Sequence, residues 1–228
     1  CVRSILRHMH SPAVRAQQDD EPILIAAVRE TDVRVCNVLL LHMSPAAAHV
    51  NACDRQGRTA LMYAAELRDG AILSTVLSCT DKLGIDTVDR FGNTALMCAA
   101  RHGRKFALAA LLGRGCDANA VNKVGDTALL IAIKAEHTSC ALALMADKRV
   151  DVTVVNACQN TALIVACRIS NSDVVCALLR SEQAVDLNTP ALDGLTAIMW
   201  AAATGSIRTV TALLAVRDAN NNIAVDVN

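Results

Sequence analysis

Cysteine and histidine are the side chains of this sequence best suited to chemistry, because both can bind metal ions and a thiolate is a nucleophile. The chain of 228 residues contains ten cysteines and six histidines. The metal-ligand candidates are His8 with His10, and His42 with His49 and Cys53. Neither set has the C-x₂₋₄-C spacing with a second ligand pair, so the sequence predicts exposed loop histidines and no metal site.

Motifs for catalysis are also missing. The sequence has no G-x-x-x-x-G-K phosphate loop, no H-E-x-x-H zinc motif and no G-x-S-x-G nucleophile. The cysteines are scattered without a C-x-x-C pair, which favours small core hydrophobes in a reducing cytoplasm or nucleus. We therefore expect no enzymatic activity, no cofactor and no small-molecule substrate.

Composition limits both the kind of core and the kind of partner that this chain can have. The chain is 53% apolar but only 2% aromatic, so its core must be built from Ala, Leu, Val, Ile and Met. The 22 basic residues balance 22 acidic ones, which gives no reason to expect a nucleic acid or an anionic membrane surface as partner. No apolar run approaches the ~18 residues of a membrane-spanning helix, so no membrane insertion is predicted.

One sequence segment recurs along the chain. Thr-Ala followed by Leu or Ile recurs at a regular spacing of 35, 33, 34 and 35 residues, at Thr59, Thr94, Thr127, Thr161 and Thr196. Glycine stands two residues before four of these threonines, and Gln159 stands before the other. The five matches indicate an internal repeat, which sets the architecture before any single residue is interpreted.

Each unit has the pattern turn, helix, loop, helix. Polar residues such as Asp89 and a following glycine such as Gly92 predict a tight reversal. The threonine stands where a helix N-cap belongs, directly before an Ala-rich run. The second helix carries a leucine pair such as Leu111 and Leu112. Alanine pairs should let neighbouring first helices approach closely.

This register resembles the ankyrin repeat, whose pattern is roughly D-x-x-G-x-T-P-L-H-x-A-A-x-x-G, then a helix with a Leu-Leu pair, then a short acidic, Val and Asn segment. The resemblance covers about residues 21–228 and implies an all-α repeat solenoid of helix-turn-helix units with short β-hairpin loops. It implies about six units after a partial one in residues 1–20. They start near residues 21, 57, 92, 125, 159 and 194.

Two features depart from the family pattern. Only Pro22 keeps the proline, which the other units replace by alanine, and the histidine is replaced by residues such as Met97 and Leu130. Because that histidine ties adjacent hairpins together in the family, we expect less stability per repeat. Arrays of this Ala-for-Pro kind in protists are free-standing or joined to NIMA-related protein kinases, and this chain is similar to them.

The resemblance also implies a binding surface, since ankyrin repeats hold ligands at the hairpin tips and the exposed part of the first helix. The matching positions give the predicted partner-binding residues: Arg55, Arg58, Arg90, Phe91, Asn93, Arg101, His102, Lys123, Lys134 and Arg168. With Arg29, the matched positions hold eight basic residues against three acids, Glu66, Asp126 and Asp193.

The expected partner is a protein with an acidic or phosphorylated segment, with Arg90 and Arg101 near the centre and Phe91 as an apolar anchor. The alternative is that these charges only solvate the surface. Tyr63 and Trp200 occupy one register position and are interpreted as packing residues more readily than as binding hot spots.

The sequence thus predicts a non-enzymatic scaffold for protein–protein interaction, cytoplasmic or nuclear. The second hypothesis is a regulatory or targeting region of a larger protein kinase, which residues upstream of Cys1 would decide. Further repeats are expected beyond both ends of the sequence.

Overall fold

The structure is a computed structural model that describes residues 22–42, 50–78, 84–183, 185–216 and 224–226. Twelve helices lie wholly within this part of the chain. The six first helices of the units are α1 (Ile23–Arg29), α3 (Ala60–Glu66), α5 (Ala95–Arg101), α7 (Ala128–Lys134), α9 (Ala162–Arg168) and α11 (Ala197–Ala203). The second helices are α2 (Val33–His42), α4 (Gly70–Ser78), α6 (Lys105–Gly113), α8 (Thr138–Met145), α10 (Ser172–Leu179) and α12 (Ile207–Leu214).

The predicted partial unit in residues 1–20 lies outside the described residues, as do His8, His10 and His49. The described loops hold one isolated antiparallel bridge, between Cys53 and Thr59, and no longer strand.

The chain forms two compact units. The first comprises residues 1–99 and 106–117, and the second comprises residues 100–105 and 118–228. In the first, α1 packs on α2 and α3, while α4 packs on α2 and α3. In the second, α7, α9 and α11 pack in succession, and α8, α10 and α12 pack in succession behind them.

Threonine begins the first helices as the sequence predicts. The Oγ1 atoms of Thr59, Thr94, Thr127 and Thr161 accept hydrogen bonds of 3.2–3.4 Å from the backbone N–H three residues later. Each bond satisfies an N–H that the first turn of a helix cannot pair internally. Thr196 makes no such bond, and its Oγ1 is buried without a hydrogen-bond partner.

Four hairpin turns are each held by one polar side chain that lies three residues before the turn glycine or, in one unit, before Gln159 in its place. Asp89 Oδ1 accepts 2.8 Å hydrogen bonds from the N–H groups of Phe91 and Asn93. Asp54, Asn122 and Asn156 do the same in their units. The turn therefore keeps its shape without a cross-strand ladder.

A second set of polar side chains joins the loops of successive units. Asn119 Nδ2 donates to the carbonyl of Arg149 (2.7 Å), and its Oδ1 accepts from the N–H of Asp151 (2.8 Å). Asn51, Asp86 and Asn188 make comparable bonds to the loop that follows each of them. The side chains at these positions therefore cross to a neighbouring loop.

The equivalent position in the next unit is Thr153, which has no side-chain amide. There the hydrogen bonds between the two loops come from a side chain of the later loop. Gln183 lies in the later loop. Its Oε1 accepts from the N–H of Val152 (2.9 Å), and its Nε2 donates to the carbonyl of Val150 (2.7 Å). A glutamine from the following unit thus makes the two bonds that an asparagine makes elsewhere.

Most described cysteines are part of the apolar core, as predicted. Cys36, Cys98, Cys116, Cys140 and Cys167 are buried, whereas Cys53 and Cys158 are exposed. Burial raises the pKa of the Cys98 and Cys167 thiols from 9.0 to about 12, with a further contribution from Glu66 at Cys98. These thiols remain protonated at neutral pH and are poor nucleophiles.

Gly125 should be the least replaceable residue of its hairpin. Its φ is +76°, and an added Cβ would lie 2.8 Å from the backbone nitrogen of Ala157. We expect Gly125→Ala to lower the free energy of unfolding by about 1–3 kcal/mol, measured by urea denaturation. Gly113→Ala is the control, because an added Cβ there meets no atom within 4 Å. Equal effects of the two substitutions would contradict the close approach of these hairpins.

Thiol labelling should follow burial. At pH 8 we expect a maleimide to label Cys53 and Cys158 in the native chain, and to label Cys98 and Cys167 only as fast as the chain unfolds. Site-resolved mass spectrometry gives the rates. Fast native labelling of Cys167 would contradict the described core.

The same thiols make stability depend on pH. Above pH 9.0 the unfolded chain loses thiol protons that folded Cys98 and Cys167 keep until about pH 12. Their contribution to the free energy of unfolding is therefore complete below pH 9 and is lost as pH rises towards 12. Urea denaturation between pH 8 and 10 should show this fall, with a smaller slope in Cys167→Ala.

Candidate functional site at the hairpin tips and first-helix ends

The hairpin tips are joined to one another by backbone hydrogen bonds. In the first compact unit, the N–H of Arg90 donates to the carbonyl of Gln56 (2.9 Å). In the second, Ala157 donates to Val124 (3.1 Å) and Leu192 donates to Cys158 (3.1 Å). These bonds fix the spacing of neighbouring tips, which the family achieves partly through the histidine that this chain lacks.

Arg55, Arg90 and Phe91 form the exposed tip surface of the first compact unit. Arg55 and Arg90 are exposed, and the Arg90 guanidinium lies 4.9 Å from the centre of the Phe91 ring. The Phe91 side chain is 54% exposed, and Val88 beside it is 51% exposed. Positive charge and apolar surface therefore lie side by side at this tip.

Arg58 is engaged inside the same unit. Its Nη2 forms an ion pair with Glu66 Oε1, and its guanidinium lies 4.0 Å from the centre of the Tyr63 ring. Tyr63 donates a 2.8 Å hydrogen bond to Asp54 Oδ2. Burial, followed by that hydrogen bond, raises the pKa of Tyr63. Arg58 thus links the start of α3 to its end, and its charge is already paired with that of Glu66.

Asn93 does not lie on the surface. It is only 3% exposed, and its Nδ2 donates to both carboxylate oxygens of Asp89, at 3.3 and 3.1 Å. The expectation that Asn93 is an exposed contact residue is wrong, because its amide completes the buried side of the hairpin.

In the second compact unit, Arg101, His102 and Lys123 are exposed. The carbonyl of Arg101 lies 3.1 Å from Nε2 of His137, which holds the end of its helix to the start of the next unit's second helix. The Arg168 guanidinium lies 5.9 Å from the centre of the Trp200 ring. Trp200 and Tyr63 are both half-buried, and Nε1 of Trp200 has no hydrogen-bond partner.

Lys134 is paired rather than available. Its Nζ lies 2.6 Å from both carboxylate oxygens of Asp126, a residue only 6% exposed. Asn156 from the next hairpin donates a further 2.7 Å bond to Asp126 Oδ1. Removal of the lysine would leave a buried carboxylate with one neutral donor from a side chain.

The pairs Arg58–Glu66 and Asp126–Lys134 occupy the same two register positions with the charges exchanged. The first member of each pair directly precedes the N-cap threonine, and the second follows that threonine by seven residues. This distance spans the seven-residue first helix, so either charge order can bridge its two ends.

Sequence reasoning did not identify the exposed apolar side chains that recur near the hairpin tips within each compact unit. Val88, Val121 and Val155, each four residues before the turn glycine or its substitute, are 51%, 52% and 45% exposed. Val124 and Leu192, at the tips themselves, are 55% and 72% exposed. The recurrence of valine at one register position was the available signal.

Metal-binding side-chain clusters and membrane-spanning helices were both sought in the part of the chain that the structure describes. Within it, no three His, Cys, Asp or Glu side chains lie close enough together to hold a metal ion. None of its helices has the length and apolar character required to cross a bilayer.

The Asp126–Lys134 pair gives a test of the described contacts. We expect Lys134→Glu to cost about 1–3 kcal/mol in the free energy of unfolding, because Asp126 is buried and loses its charged partner. Addition of Asp126→Arg should restore part of the loss by recreating the order of Arg58 and Glu66. Urea denaturation measures both changes. Lys148→Glu, at an exposed loop position, serves as the control with an expected effect within about 0.5 kcal/mol.

Comparison with known proteins agrees with the repeat pattern. A family model described as "Ankyrin repeats (3 copies)" matches residues 70–156 and 144–225, which together exceed half of the chain. A stretch of 54 residues is 41% identical to the nuclear factor NF-kappa-B p110 subunit of Drosophila melanogaster. That stretch is 24% of this chain and only 6% of the relative's length.

A solved structure, that of EF0377, an ankyrin repeat protein, matches this chain with a TM-score of 0.76 at 24% sequence identity. The match covers 85% of this chain and 97% of the other, and at this identity it bears on the fold alone. The predicted all-α ankyrin-repeat fold is confirmed, whereas the similarity to kinase-linked protist arrays stays a prediction. The repeat register, the helix pairs and the family match together show that this chain belongs to the ankyrin-repeat family.

Proposed function

We propose that this chain binds a protein partner through its hairpin tips, and that the partner segment carries carboxylate or phosphate groups next to an apolar residue. Ankyrin repeats generally mediate protein–protein interaction and are typically non-enzymatic. The observation that carries the finer proposal is the tip of Arg90 and Phe91, where an exposed guanidinium lies beside an exposed ring.

Charge at this tip supports an anionic partner. An internal ion pair takes up Arg58, so Arg55 and Arg90 are the exposed basic residues at the hairpin tips of the first compact unit. Arginine suits this role because its planar guanidinium can donate two parallel hydrogen bonds to a carboxylate or phosphate. Phe91 and Val88 offer the apolar contact that such an anchor needs to exclude water.

Rigidity of the tip also favours binding. The bond from Arg90 N–H to the Gln56 carbonyl and the two bonds to Asp89 fix the backbone on which Arg90 and Phe91 stand. A fixed backbone lowers the entropy that a partner must overcome on binding. In the second compact unit, Lys123 and Val124 repeat the combination of basic and apolar side chains at one tip.

The regulatory or targeting role within a larger protein kinase remains the second prediction from the sequence, and no contact among the described residues favours it. Kinase motifs in the residues upstream of Cys1 would be its test.

The proposed function is tested with peptides that carry the same apolar sequence and either phosphoserine, glutamate or alanine. We expect the first two to bind and the alanine peptide to bind at least about tenfold more weakly, since charge-assisted hydrogen bonds are lost. Arg55→Glu with Arg90→Glu should weaken binding by a similar factor, and Phe91→Ala should weaken it at every salt concentration. Isothermal titration calorimetry gives the dissociation constants.

Arg34→Glu is the matched control, because Arg34 is an exposed arginine of the same compact unit on the second helix α2. It should leave binding unchanged. Equal loss in Arg34→Glu would show that only the net charge matters. Unchanged binding in the variant with Arg55→Glu and Arg90→Glu would rule out the tip as the site.

A further inference from the structure

The hairpin tip that precedes α11 carries an apolar and an acidic residue where an earlier tip carries a basic and an apolar one. Leu192 and Asp193 directly follow Ala191 at this tip, and both side chains are exposed. Leu192 is 72% exposed. Arg90 and Phe91 occupy the same two positions three units earlier. The chain therefore presents two tips of opposite charge, each with an apolar side chain beside the charged one.

Exposure of this tip comes with its position in the hairpin. The residue that matches Asp193 is exposed in every preceding hairpin, at Gln56, Phe91, Val124 and Cys158. The residue that matches Leu192 is exposed as well, at Arg55, Arg90, Lys123 and Ala157. Each of these hairpins is followed by another along the chain, so a following hairpin does not cover the two positions.

Asp193 is the acid of the predicted binding surface that has kept its charge for a partner. Glu66 and Asp126, the other two acids of that surface, form ion pairs with basic residues of their own units. Asp193 Oδ1 accepts a 3.0 Å hydrogen bond from the N–H of Leu195. No basic side chain in the part of the chain that the structure describes pairs with Asp193.

The sequence around each tip carries the same sign of charge as the tip. Between Asp89 and Asp117 the chain has no acid and five basic residues, Arg90, Arg101, Arg104, Lys105 and Arg114. Between Arg180 and Arg208 it has no basic residue and three acids, Glu182, Asp186 and Asp193, all of them exposed. Opposite charges are thus concentrated in different stretches of a chain that is neutral as a whole.

The two tips are matched in order as well as in sign. Arg90 precedes Phe91, whereas Leu192 precedes Asp193. Two tips that meet in antiparallel directions therefore place Arg90 opposite Asp193. The same approach places Phe91 opposite Leu192. A guanidinium can donate two parallel hydrogen bonds to the facing carboxylate, whereas the other basic tip, at Lys123, offers only a point charge.

We propose that the tip of Arg90 and Phe91 binds a second copy of this chain through the Leu192 and Asp193 of that copy. This inference rests on the proposed function, because these two residues supply the apolar side chain and the carboxylate that the proposed partner segment carries. A contact between two hairpin tips buries little surface, so the association is weak and reversible. Salt weakens it further, since the charges are exposed.

Sedimentation velocity of the 228-residue chain tests this association. We expect the mean mass to rise with protein concentration at low salt and to approach the monomer mass at high salt. Arg90→Glu and Asp193→Lys should each lower the association constant at least about tenfold, because like charges then face each other. The two substitutions in one chain exchange the charges and should restore most of the association, which a merely structural effect of either substitution would not allow.

Arg34→Glu and Glu136→Lys are the controls, because each reverses one exposed charge outside the hairpin tips. Both should leave the association unchanged. A mass that does not depend on concentration, or a combined variant that stays monomeric, would overturn the proposal. So would association that Lys123→Glu abolishes and Arg90→Glu does not, because the other basic tip would then be the one that binds.

Peptide binding separates this inference from the proposed function on which it rests. The glutamate peptide should compete with the second copy and lower the mean mass. Peptide binding by a chain that does not self-associate would overturn the second copy as partner and leave the proposed function standing. A chain that neither binds the peptides nor self-associates would contradict both.

Discussion

Close contact between successive first helices is the constraint on which this structure depends. A pair of helices of seven to ten residues cannot enclose a core by itself, so each pair must bury its apolar sides against its neighbours. The position five residues after the N-cap threonine is alanine in every unit, and Ala132, Ala166 and Ala201 are 0% exposed. A larger side chain there would force the helices apart, which explains how a chain with 2% aromatic residues forms a close-packed interior.

The polar parts of the fold follow from that packing. Helices held at close range bring their hairpins and loops close together, and the backbone groups in these loops must be satisfied without a regular sheet. Side chains of Asp, Asn and Gln perform this task within the hairpins and between loops. The chain therefore compensates for the missing family histidine with many separate hydrogen bonds, none of which is found in every unit.

Local patterns predicted the local structure well. The threonine caps and the helix pairs follow from residue type and spacing, because each depends on interactions within a few residues. The contacts between units were not predictable in this way. Gln183 replaces an asparagine from the opposite side of a junction, and Asn93 turns inwards to Asp89, and both outcomes depend on distances that exist only after packing. The same limit applies to the prediction of the binding surface. From the sequence alone Arg58 and Lys134 are equivalent to Arg90, and only the packed structure shows their acidic partners.

The exchanged charges at Arg58–Glu66 and Asp126–Lys134 also bear on the order of the units. Apolar faces built from Ala, Leu and Val are nearly interchangeable, so a repeat chain can fold with a unit skipped or paired with the wrong neighbour. Each polar junction differs from the next: Asp126 requires the amide of Asn156, and the loop at Val152 requires Gln183. Misaligned stacking would bury one of these groups without its partner, at a cost that correct stacking avoids. The polar residues, which differ from one junction to the next, thus favour the stacking of each unit against its correct neighbour.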